Sequence, residues 1–278
     1  MPGTTSPKAL LLGLLRVSPR PLAVRQLVAV GDLFGLGGGA VRVALTRLVA
    51  AGLVASDERG SYRLAAEADP VSRWADGWRA GERRLRAWTG AWLCVWHPRG
   101  GERGERARSH RALGRLGLGE GRDGLWLRPD NLRAGTAGIA AQLEQLGLAP
   151  GAVPFAARDF PAEVVSGWVG GLWPIRSIAD RQVRALRDIE RSRARLARLA
   201  RRRALAETFL VGGAAIRALV RDPLLPDEVA SGRHRRELTD AMLDYDRRGR
   251  AVWSQALELA STGLDGAPTH PDALDATP

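Results

Sequence analysis

The stretch Gly39–Leu64, GAVRVALTRLVAAGLVASDERGSYRL, admits few folds. Val41, Ala44, Leu45, Leu48 and Val49 recur at helical spacing and define one apolar stripe. Gly52 stops that helix, and two short apolar runs, Leu53–Ser56 and Ser61–Leu64, flank the polar turn Asp57-Glu58-Arg59-Gly60. A helix running straight into a hairpin is the order a winged helix-turn-helix requires: the helix enters the major groove and the hairpin grips the flanking backbone.

The upstream residues fit the same plan. Ser6-Pro7 reads as an N-cap with proline at the first helical position, followed by Leu10, Leu11, Leu14 and Leu15, and Pro19 and Pro21 end the helix. A second helix is expected from Pro21-Leu22, and the glycines between Gly31 and Gly39 supply the turn. On the third helix Arg42, Val43 and Thr46 lie opposite the stripe, with Arg47 at its margin. Arginine can bind guanine bidentately or neutralise phosphate, and threonine can meet base edges or backbone. Arg59 at the hairpin tip and Arg63 on its second strand suit phosphates or a narrow minor groove. The expected DNA contacts are therefore Arg42, Thr46, Arg47, Arg59 and Arg63.

Charge supports a polyanionic partner through its distribution more than its total. The net charge is +12, and all but one of the 42 basic residues are arginine, the exception being Lys8. Residues 1–64 carry net +5 and residues 161–204 net +7, whereas residues 205–278 carry net −4. Such concentrated patches attract polyanions by releasing counterions. Residues 181–203 hold ten arginines beside an apolar stripe of Val183, Leu186, Ile189, Leu196 and Leu199, which reads as one helix with a basic face. The single cysteine, Cys94, excludes a disulfide framework. The N-terminus has no signal-peptide pattern, and no apolar run reaches the roughly 18 residues of a membrane span. A soluble, cytoplasmic protein with no membrane association is expected.

Downstream, residues 67–90 read as a helical, tryptophan-rich connector. Ala91–His97, Gly124–Arg128 and Val153–Ala157 read as strands, with helices over Arg103–Leu116 and Thr136–Leu146 between them. That alternation indicates a ferredoxin-like sandwich over 91–160. A helical domain is expected over 161–262 and a disordered tail over 263–278. The fold class is α+β, with the winged helix-turn-helix occupying 1–66.

No catalytic or metal-binding group emerges. His97, His110, His234 and His270 lack metal-ligand spacing, Ser166 lies outside a nucleophile elbow, and Cys94 sits on an apolar strand. Gly35–Ala40 matches GxGxxA with Asp57-Glu58 downstream, which would suit a dinucleotide-binding enzyme. Its turn is too long to follow a strand directly, and a hairpin succeeds it. A metal-dependent nuclease on the middle domain is the other enzymatic alternative, but that domain's first strand ends at His97-Pro98-Arg99 with no carboxylate. No cofactor is expected.

The segments SPKALLLGLL (6–15) and AVRVALTRLVAAGLV (40–54) resemble the N-terminal domain of PaaX-type repressors of phenylacetate catabolism. LVRDPLLPDE (219–228) is similar to that family's C-terminal signature, and Leu172-Trp173 running into a helix through Arg187 is similar to the start of the same region. The resemblance implies a winged helix, a middle domain akin to the CRISPR-associated Cas2 fold and a helical C-terminal domain. It further implies a homodimeric repressor of a catabolic operon that binds a double-stranded operator and is released by a small effector, an aryl-acyl-coenzyme A thioester in the best-known case. Trp168, Trp173 and Arg176 mix aromatic and basic character and are the expected effector contacts.

Overall fold

The computed structural model describes residues 6–18, 20–57, 59–65, 70–98 and 102–262. The tail expected to be disordered, 263–278, lies outside the described residues. The chain is an α+β protein and divides into two compact units. One comprises Met1–Ala68, Leu199–Ala206 and Arg248–Pro278; the other comprises Asp69–Arg198 and Glu207–Arg247.

The first unit is built on α1 (Pro7–Val17), β1 (Leu22–Ala23), α2 (Val24–Leu33), α3 (Gly38–Ala50), β2 (Val54–Ser56) and β3 (Ser61–Leu64). Ser6 caps α1 by accepting from the Ala9 amide at 3.2 Å, with Pro7 in the first turn. The Gln26 side chain caps α2 by accepting from the Ala23 N–H at 2.8 Å. Leu10, Leu11 and Leu14 of α1, Leu27 and Val30 of α2, and Val41, Leu45 and Leu48 of α3 form the buried interior. Two expectations need correction. Leu22-Ala23 does not open the second helix; it pairs antiparallel with Tyr62-Ser61, making a three-stranded sheet of order β1-β3-β2. Only the tertiary pairing offers these two residues a strand partner. Val49 leaves the buried stripe and is 37% exposed, one position beyond the buried Leu48 and on the side of the exposed Arg42 and Thr46.

In the second unit, α4 (Pro70–Asp76) and a 3-10 segment (Gly77–Arg84) precede β4 (Trp92–Trp96), α5 (Arg103–Arg115), β5 (Gly119–Glu120), β6 (Leu125–Pro129), α6 (Gly135–Gln145) and β7 (Val153–Ala157). The sheet runs β5-β6-β4-β7 with every neighbour antiparallel, and β5 is a strand the sequence pattern did not reveal. Helical structure in the connector stops at Arg84: Leu85 bridges Leu132, and the Arg86 amide donates to Asn131 O at 2.8 Å. Leu93 and Val95 of β4 pack with Leu113, Ile139 and Leu143 on one face, while Trp92 and Cys94 pack with Trp173 and Leu225 on the other. Burial on both faces explains why β4 reads as an uninterrupted apolar run.

The remaining helices are α7 (Ala162–Gly171), α8 (Ile175–Arg195), α9 (Arg201–Val220) and α10 (Arg233–Thr262). Trp78, Ile189, Ala215, Leu238 and Tyr245 form a third core cluster, where the Ser192 and Tyr245 hydroxyls bond at 2.6 Å. The arginine-rich segment 181–203 is two helices, not the single one expected, with a break after Leu196–Arg198. No glycine or proline lies there; Leu196 is buried before the break and Leu205 after it, and Arg195 Nε donates to Glu207 across it at 2.9 Å.

Candidate nucleic-acid interface

The close approach of α2 to α3 depends on Gly31. A Cβ at that position would lie 2.6 Å from Val41 Cγ2, and Val41 is fully buried. Phe34–Gly37 then turns the chain into α3, with Gly35 at φ +75°. Arg42, Val43, Thr46 and Arg47 are all exposed on α3, Val43 by 51%. The Thr46 hydroxyl donates to Arg42 O at 3.1 Å, so its proton is used within the helix.

Asp57 organises the hairpin. Its Oδ1 accepts from the amides of Arg59 (3.0 Å) and Ser61 (2.8 Å), and its carbonyl accepts from Gly60 N–H at 3.1 Å. Gly60 adopts φ +71°. Val54, Ala55 and Ser56 pair with Leu64, Arg63 and Tyr62, leaving Arg59 and Arg63 exposed. The unit therefore exposes all five expected DNA contacts, three on α3 and two on the hairpin.

Two further residues of this unit, absent from the sequence expectation, hold the turn. Arg202 Nε donates to Leu33 O, the end of α2, at 2.6 Å. Trp253 stacks on Phe34 with ring centroids 5.9 Å apart. Arg201 and Arg203, on either side of Arg202, are exposed. Pairings of such long sequence separation leave no local signal.

The effector candidates lie in the second unit. Trp173 is buried, stacks with Trp92 and donates its indole N–H to Gly117 O at 3.0 Å. Trp168 is half-buried, edge-on to Trp92 at 5.2 Å and to Phe160 at 4.8 Å. Arg176 is exposed in the first turn of α8. The two tryptophans thus share an aromatic cluster in which Trp173 has its polar atom engaged.

Among the described residues, no three His, Cys, Asp or Glu side chains group as metal ligands. Cys94 is buried, and burial pushes its thiol up to about 11. Gly35–Ala40 joins two helices, whereas a dinucleotide fingerprint joins a strand to a helix. No helix among the described residues is long and apolar enough to cross a membrane.

Among solved structures, an uncharacterized protein of Mycobacterium tuberculosis, Rv0674, is similar over 93% of this chain and 100% of its own, with a TM-score of 0.62 and 24% sequence identity. That likeness concerns the fold. No curated protein matches the chain. Residues 7–68, which span the three helices and the hairpin, match the family model for PaaX-like proteins. Over that segment the chain is similar to PaaX-like proteins.

Proposed function

We propose that the chain is a sequence-specific, homodimeric DNA-binding repressor of a catabolic operon, with residues 6–65 acting as a winged helix-turn-helix. The outward face of α3 carries this reading. Arg42, Val43, Thr46 and Arg47 stand exposed together on a helix set against α2 by a short turn and followed by a hairpin. An arginine fork spans O6 and N7 of guanine, worth roughly 1–3 kcal/mol of discrimination per pair. Thr46, with its proton committed to Arg42 O, offers an acceptor and a methyl group. Those suit an amino group of adenine or cytosine, or a thymine methyl. Arg59 and Arg63 clamp phosphates beside the groove. A two-fold dimer places its reading helices about 34–36 Å apart, or a multiple of that, on a palindromic operator.

Release is assigned to a small effector, an aryl-acyl-coenzyme A thioester. Arg176 meets its phosphates and Trp168 its aromatic group, with Trp173 as the buried wall behind. The test is gel retardation on DNA flanking the protein's own gene. An Arg42→Ala/Arg47→Ala variant should keep its thermal stability, both residues being exposed, and lose at least about tenfold in specific affinity. Wild-type retardation by that variant would sink the α3 assignment. Adding aryl-acyl-coenzyme A thioesters should free the wild-type complex; if none does, the effector assignment falls and the DNA reading stands.

A further inference from the structure

The segment Leu219–Glu228 has no part in the DNA reading, yet it walls a cavity within the second unit. The cavity, about 210 Å³, lies between the end of α5, the first half of α6 and the loop Asp222–Leu224. Arg84, Arg115, Arg128 and Arg133 line it, and Asp222 is the one acid among its lining residues. Trp74, Leu132 and Ile139 supply an apolar wall.

Three of these charged groups are committed to the fold. Arg128 is buried and donates to the carbonyls of Leu116, Pro129 and Leu224 and to Asn131 Oδ1. Asp222 is buried too, and accepts from Gln182, from the Leu224 amide at 2.6 Å and from Arg235 at 3.3 Å. Arg115 lies over the Trp74 ring at 5.9 Å. Arg84 differs: its Nε is buried with no hydrogen-bond partner among the described residues. Burial lowers the Arg84 guanidinium pKa most; the charge of Arg235 adds to this, and Asp222 and Glu82 oppose it. Arg133 is exposed, and its amide donates to Arg84 O at 2.8 Å, which fixes the two residues side by side. Leu224 is held at φ +55°, a conformation rarely populated by a branched residue and fixed here by hydrogen bonds at both its amide and its carbonyl.

We propose that this cavity binds a compact organic oxyanion, with its charged end on Arg84 and Arg133 and its apolar body against Trp74, Leu132 and Ile139. A guanidinium whose buried Nε lacks an acceptor is stabilised most by an acceptor that is both charged and planar or tetrahedral, as carboxylates and phosphomonoesters are. An engineered cavity of about 150 Å³ takes up benzene, so this one accommodates a single-ring acid. An acyl thioester brings no charge at its acyl end and would offer Arg84 only a neutral acceptor, which separates this site from the effector surface around Trp168. The assignment is independent of what residues 6–65 bind.

Isothermal titration of the full chain with benzoate, cyclohexanecarboxylate, phenyl phosphate, benzamide and inorganic phosphate tests it. At least one of the three organic anions should bind, with benzamide and inorganic phosphate weaker by about tenfold or more. The leading ligand distinguishes a carboxylate site from a phosphomonoester site. Arg84→Gln and Arg133→Gln should each weaken it by about tenfold, and Arg122→Gln, exposed and outside the cavity, should not. No binding by any organic anion, equal binding of benzamide, or equal binding of inorganic phosphate overturns the proposal. If Arg84→Gln fails to fold, Arg133→Gln decides alone, since its side chain is exposed and wild-type affinity in that variant is equally fatal.

Discussion

At the residue scale, Gly31 decides whether α2 and α3 can meet. Val41 is β-branched and fully buried, so it cannot swing away from an added methyl group. Gly31→Ala should therefore destabilise the first unit by about 1–3 kcal/mol, the usual cost of overpacking, despite alanine's better helix propensity. Urea unfolding followed by circular dichroism measures it, and an unchanged or raised midpoint would show that the two helices are not held this tightly. Gly117 has the same character in the second unit, where its φ is +76° and a Cβ would lie 2.6 Å from Pro223 O. Neither glycine stands out in a sequence with 33 of them.

At the element scale, the question is what the basic run around Arg201 does. α9 begins there, and Arg202 is tied to the carbonyl at the end of α2. Arg201 and Arg203 are exposed within the same unit as α3 and the hairpin. They should add phosphate contacts without reading bases. Replacing both with glutamine should flatten the slope of log affinity against log salt by about 1.8, since each neutralised phosphate contributes roughly 0.9. Preference for the specific site over random duplex should persist. Fluorescence anisotropy across 50–200 mM salt, roughly the range where such slopes are steep, gives the answer; an unchanged slope would assign these arginines to solvent. By contrast Arg193 and Arg195 on α8 pair with Asp244 and Glu207 within the second unit. The basic run is therefore divided between internal ion pairs and an open basic surface.

For the whole molecule, stability should depend on pH through a histidine that the fold keeps neutral. His97 is buried just after β4, its ring edge-on to His110 at 6.0 Å. Burial lowers its pKa below the usual imidazole value, the His110 charge adds to this, and Glu105 opposes it. The unfolded chain then takes up the proton first, from about pH 6.5 downward. The contribution of His97 is present above that pH and is lost as the pH falls through its folded-state value. Urea midpoints should fall between pH 7.5 and pH 5, and His97→Gln should make that fall shallower; parallel profiles would remove His97 as its cause. The net charge of +12 also stands over this window, so both proteins should be compared at one ionic strength.

The sequence by itself determined the elements whose signals are local. The α3 stripe, the Gly52 stop, the Asp57–Gly60 turn and the strand–helix alternation of the middle segment are written in spacing and turn chemistry, and so was the exposed arginine–threonine face of α3. Only the tertiary structure decided what depends on partners distant along the chain. Leu22-Ala23 became a strand because β3 lay beside it. The arginine run divides into two helices, with Leu196 buried before the break and Leu205 after it. The expectation that Trp173 would face a ligand met an indole already bonded to Gly117 O, 56 residues away in the chain. The arginine-lined cavity likewise collects residues 74 to 224, whose individual surroundings carry no mark of one another. Periodicity reports which face of a segment is apolar, but a hydrogen bond or counter-charge supplied from elsewhere depends on how the chain closes on itself.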